Sequence, residues 1–171
     1  MEHFSRLAPP QRVRSMIPYG LSPEQFRTRY QRFLQRAAPV TIDKLRTLLQ
    51  RSLPDESLTG EVQLFLGEDG LDSSEAWLYL RGENNKVDAA DPGLFAGKAL
   101  DLQLPLENTP EFDAAYFGED FDGVALIANT LKAWFAECWW KAGGWSWPVA
   151  LTLNVHDEFG DGERIALTEM G

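Results

Sequence analysis

Cysteine is almost absent from this 171-residue chain, with Cys138 alone. One thiol cannot close an internal disulfide, so the expected setting is a reducing one, the cytoplasm. Histidine is nearly as scarce, with two residues, and only His156 lies among other potential ligands, which is too few for a zinc site. No apolar run approaches the roughly 18 residues that a membrane span needs. The first 20 residues lack the continuous apolar segment and small-residue cleavage site of a signal peptide. Gly-x-Gly-x-x-Gly, Walker, His-Glu-x-x-His and Gly-x-Ser-x-Gly patterns are all missing. Internal repeats and low-complexity tracts are missing too. These absences argue against an enzyme and name no cofactor.

What is present is a chain able to build a core. Hydrophobic residues make up 44% and aromatics 12%, which excludes general disorder, and the length suits one domain. Charge is unevenly spread. Residues 1–54 hold ten Lys/Arg against three Asp/Glu, a balance of +7; residues 55–171 hold six against twenty-three, a balance of −17; together they give the net −10. Such a contrast marks an interaction surface or an internal neutralisation. The acidic majority would repel phosphates, so no direct nucleic-acid role is expected.

The strongest helical signal is Asp120–Trp147, which carries five of the six tryptophans. Val124, Ile127, Leu131, Phe135, Cys138 and Ala142 share one face, Asp122 suits the N-cap, and Gly143-Gly144 gives a stop. The spacing predicts a central core helix. Upstream, residues 1–20 read as an extended arm broken by Pro9-Pro10 and Pro18. Residues 21–54 read as a helical pair. Ser22, Pro23 and Gln25 form a capping box, Phe26, Tyr30, Phe33, Leu34 and Ala37 an apolar stripe, and Pro39 the end of the first helix. A second helix is expected from Thr41.

From residue 61 the period changes to two. Val62, Leu64 and Leu66, then Ala76, Leu78 and Leu80, predict an antiparallel hairpin. Leu100 to Leu106 predicts a third strand, with Pro105 placing it at an edge or a strand end. Val149, Leu151, Leu153 and Val155 predict a fourth, and 163–168 a short fifth. The expectation for 1–171 is a single α+β domain: a mostly antiparallel sheet of about five strands on a long central helix, with an N-terminal helical pair.

Two constellations bear on chemistry. His156, Asp157, Glu158, Asp161 and Glu163 crowd five acidic or ligating groups into eight residues, but their spacing does not match a calcium loop. As a reactive site this loop would be a metal-assisted hydrolase built on His156, Asp157 and Asp161; as a bland feature it is a solvated turn. Cys138 with His156 offers a nucleophile and a base. Yet Cys138 lies on the apolar stripe near a helix C-terminus, where the dipole disfavours a thiolate. It reads as a core residue. The remaining signal is aromatic: Trp140, Trp145 and Trp147 do not fit the buried stripe, and tryptophan enriches binding hot spots.

The block Trp134-Phe135-x-x-Cys138-Trp139-x-x-Ala142-Gly143-Gly144, followed after a strand by His156-Asp157, resembles C-terminal segments of small, uncharacterised bacterial proteins. Some of these look like immunity proteins encoded beside secreted toxins. The likeness covers the last third of the chain, with Trp147-Pro148 where the family has an apolar residue and proline. It implies a non-enzymatic, cytoplasmic protein that binds and occludes a cognate toxin. An acidic inhibitor suits a basic toxin. The expected contacts are Glu119, Asp120, Asp157, Glu158 and Asp161, with Trp145 and Trp147 as anchors. A structural adaptor joining partners through its basic and acidic parts is a further reading.

Overall fold

The computed structural model describes residues 22–56, 58–67, 73–82, 90–107 and 122–171. The expected arm at 1–20 and the expected contacts Glu119 and Asp120 lie outside them.

Helix α1 (Pro23–Leu49) starts as its sequence dictates. Ser22 Oγ accepts from the Gln25 amide at 3.2 Å and Gln25 Oε1 accepts from the Ser22 amide at 2.8 Å, so two orphan donors of the first turn are satisfied. The expected helical pair is a single continuous helix, because Pro39 stands inside it rather than ending it. Proline removes one intrahelical bond, to the Gln35 carbonyl. Here both residues lie on the exposed side, where water can take up that carbonyl. On the buried side Phe26, Tyr30, Leu34, Leu45 and Leu48 run without a break, and Thr41 turns its hydroxyl onto the Ala37 carbonyl at 2.9 Å. Burial of that stripe outweighs the missing bond.

Five strands form one sheet in the order β3-β2-β1-β4-β5: β1 (Thr59–Phe65), β2 (Glu75–Arg81), β3 (Ala99–Asp101), β4 (Ala150–Val155) and β5 (Ile165–Ala166). The β1–β2 hairpin pairs Thr59 with Arg81 through Phe65 with Glu75. Neighbours are antiparallel except β1 and β4, which run parallel from Thr59–Ala150 to Leu64–Val155. A parallel pair needs a crossover, and helix α2 (Gly123–Lys141) lies on it. The alternation puts Val62, Leu64, Ala76, Leu78, Leu80, Leu151, Leu153 and Val155 on one buried face. These residues join the buried faces of α1 and α2 in one core.

Strands β3 and β5 are shorter than expected, Ala99–Asp101 where the leucine alternation runs to Leu106 and Ile165–Ala166 within the expected 163–168. After Asp101 the chain turns at Gln103 (φ 52°), whose amide donates to Asp101 Oδ1 at 2.8 Å and whose carbonyl accepts from Lys44 Nζ at 2.7 Å. That local bonding replaces a ladder that Pro105 could not continue.

Helix α2 is capped by Asp122, which accepts from the Ala125 amide at 2.9 Å. It contacts both α1 and β4. The predicted stripe is buried at Ile127, Leu131, Phe135 and Cys138, and so are Ala128, Lys132, Trp134, Ala136 and Trp139 on other sides. A helix apolar nearly all round is a core helix. No helix among the described residues is long and apolar enough to cross a membrane.

Candidate functional site

Strand β4 ends by delivering His156 to the surface, and the turn His156–Glu158 follows at once. Asp157 (φ 59°) and Glu158 (φ 56°) both adopt left-handed backbone, and both are exposed. For residues with a Cβ that conformation costs about 1 kcal/mol each, and it persists only where the surroundings over-determine it.

The surroundings are supplied by α2. Lys132 is buried among apolar residues, with its ammonium donating to Asp161 Oδ1 and, at 2.8 Å, to the Glu163 carbonyl. Asn129, one turn earlier, accepts from the Asp161 amide at 2.9 Å. Asp161 Oδ1 also accepts from the Glu163 amide at 2.9 Å. The loop is therefore clasped at its far end while β4 fixes its start. Hydrogen bonding to Lys132, then to the Glu163 amide, holds the Asp161 carboxyl below its ordinary 3.8.

On the other side the turn meets the outer sheet face. Arg81 Nη2 pairs with Glu61 Oε1 at 3.0 Å, and the same oxygen accepts from Gln63 Nε2 at 2.9 Å. Glu61 can only accept, so the Gln63 amide is oriented with Oε1 toward His156 Nδ1, at 3.4 Å. That makes Nδ1 the donor to Gln63 and leaves Nε2 facing Asp157 Oδ1 at 3.4 Å. The Phe65 ring lies 4.6 Å from the imidazole centroid. Between turn and hairpin opens a cleft of about 610 Å3, lined by Phe65, Glu75, His156, Asp157 and Phe159 among others.

Several expected contacts are relocated. Asp157 and Glu158 are exposed as expected. Asp161 is turned inward onto Lys132 and acts as the clasp, not as a free charge. Trp147 is buried, 6% exposed, and packs edge-on against Trp139, so it cannot anchor a partner. Trp145 is exposed and meets Trp140 edge-on at 6.4 Å, but it precedes β4 whereas the acidic turn follows it. Six strand residues put the two roughly 20 Å apart. The acidic turn and the tryptophan pair are therefore not one patch.

His156, Asp157 and Asp161 do not assemble as ligands: among the described residues no group of three or more His, Cys, Asp or Glu is placed to hold a metal. Cys138 does not meet His156, whose ring faces Gln63, Phe65 and Asp157. Burial, then the Glu137 charge, pushes the thiol up to about 11. Ellman's reagent at pH 8 is expected to leave the native protein unlabelled over an hour and to titrate one thiol in denaturant; rapid native labelling would contradict this core assignment.

Phe65, Glu75 and Lys132 are the site residues that periodicity does not mark. Phe65 and Glu75 occupy outward positions of the predicted hairpin, and only the β1–β4 pairing brings them to His156. Compared with family models, curated proteins and solved structures, the chain matches none of them.

Proposed function

We propose that the chain is a non-enzymatic protein-binding module, an immunity protein of the cytoplasm that binds and occludes a basic cognate toxin through the turn after β4. The observation that carries this reading is the pair of exposed carboxylates, Asp157 and Glu158, on left-handed backbone in a loop that the buried Lys132 clasps farther along, at Asp161. A rigid acidic turn loses little conformational entropy on binding, which is what preorganisation contributes to affinity. The −17 balance of residues 55–171 favours encounter with a basic partner. The likeness of the last third to immunity-type proteins supplies the toxin.

The test is capture with tagged protein at low salt, followed by elution with a salt step. One stoichiometric basic partner is expected, toxic when expressed alone and tolerated when co-expressed with this chain. Charge reversal at Asp157 and Glu158 together should slow association about tenfold at low salt and flatten its salt dependence. Stopped-flow rates and co-expression survival unchanged by the double reversal would overturn the assignment of this surface.

A further inference from the structure

We propose that the cleft beside the turn is an arginine receptor, taking one guanidinium side chain of the basic partner between the phenyl rings and the carboxylates. This rests on the reading of the turn as a contact surface and specifies the chemistry that reading needs.

Three features argue for a guanidinium. The charged side chains lining the cleft, Glu75 and Asp157, are both anionic, and neither pairs with a lysine or arginine among the described residues. Glu75 Oε2 has only the Trp77 indole at 3.4 Å, which leaves Oε1 to accept. Asp157 Oδ1 has only His156 Nε2 beside it, at 3.4 Å, which leaves its other oxygen to accept. Phe65 and Phe159 add two aromatic rings, Phe159 being 44% exposed.

A site offering acceptors and ring faces selects a ligand that only donates. Arginine is that ligand: its planar fork carries five N–H donors and no acceptor, pairs with carboxylates in bidentate fashion, and stacks on aromatic faces. Lysine matches the charge but neither the plane nor the fork. At about 610 Å3 the cleft has the size of a binding pocket and admits a side chain with its flanking backbone.

Glu75 reaches the cleft from β2 and Asp157 from the turn after β4. Only the hairpin register, with Glu75 opposite Phe65, and the parallel β1–β4 pairing, with Leu64 opposite Val155, set them on one site. The geometry thus uses the sheet to fix the distance between two carboxylates.

The test needs no partner. Nα-acetyl-arginine methylamide is titrated into 15N-labelled protein and followed by amide shifts, beside the matching lysine and citrulline compounds. Citrulline keeps the planar shape and loses the charge. The expected result is saturable shifts at Glu75, His156, Asp157 and Phe159 in the millimolar range, tighter for arginine than for lysine, and none for citrulline. Glu75→Gln and Asp157→Asn should each weaken the arginine response about tenfold. Both positions are exposed, and asparagine tolerates left-handed backbone, so the fold and the turn survive. Shifts scattered over the surface, an equal response to citrulline, or indifference to both substitutions would overturn the proposal. Failure here with intact sensitivity of partner association to Asp157 and Glu158 would remove the arginine receptor and leave the contact surface standing. Loss of that sensitivity as well would remove both.

Discussion

Replacing Asp161 by alanine lowers the melting temperature by about 6 °C, whereas replacing its partner Lys132 by methionine changes it by about 2 °C or less. The asymmetry follows from where the two charges sit. The Lys132 side chain is 4% exposed and that of Asp161 46% exposed. Without the carboxylate, the ammonium is left among apolar groups with one carbonyl, that of Glu163, and an uncompensated buried charge is strongly destabilising. Without the ammonium, Asp161 relaxes into water and the methionine stem packs where the lysine stem did. Water reaching the Asp161 side of the pair keeps the loss below what fully buried pairs show when broken. Thermal melts of the two variants decide the matter; equal losses would mean that the clasp is an ordinary surface ion pair.

The same pair sets a pH dependence whose sign is fixed. The folded-state carboxyl of Asp161 lies below its ordinary 3.8, through the Lys132 hydrogen bond first and the Glu163 amide second. A group with a depressed folded value contributes stability that is complete above the unfolded value and is lost as pH falls through the folded one. The stability difference between wild type and Asp161→Asn should therefore stay constant from neutral pH down to about pH 5 and shrink below about pH 4. Urea midpoints at a series of pH values measure it. A difference that grows on acidification would contradict the assignment.

Much of this fold is legible in the sequence because its signals are local. The Ser22–Gln25 box, the Asp122 cap and the period-two runs of β1, β2 and β4 each depend on residues within a few positions. Errors arise where exposure or pairing decides. Pro39 looks like a helix end until its face is known to be exposed. The parallel β1–β4 pair joins strands some ninety residues apart, and no local pattern records it. The site inherits that difficulty, since Gln63 and His156 meet only through the parallel pairing. Lys132 was within reach: the segment Leu131–Trp140 is apolar on nearly every side, and a lysine in a helix buried all round must find a carboxylate. Trp147 was within reach too, since it stands in phase with Val149, Leu151, Leu153 and Val155, and only Pro148 hides that it continues their buried face.

The second large effect is expected at Gly144, where alanine costs about 3 kcal/mol, or about 9 °C in melting temperature. A Cβ there would stand 2.5 Å from Cδ1 and Cε2 of Trp139 and closer still to Nε1. The ring cannot swing away: it is fully buried and lies edge-on to Trp147 at 5.5 Å. The backbone cannot withdraw either, since the Gly144 carbonyl accepts from the Trp147 amide at 3.1 Å and Gly143 ends α2 at φ 89°. This close approach also leaves the Trp139 indole N–H without an acceptor among the described residues, so the packing is kept at the expense of a hydrogen bond. Gly143 supplies the contrast. Nothing lies within 4 Å of its missing Cβ, so alanine there costs only the left-handed backbone, about 1 kcal/mol. The clash is separated from general damage by a double-mutant cycle with Trp139→Leu, itself worth about 3 kcal/mol and within the stability of a domain this size. In that background Gly144→Ala should cost less than about 1 kcal/mol, because the obstructing ring is gone. Equal costs in both backgrounds, read from urea midpoints, would show that the glycine serves the turn and not the tryptophan.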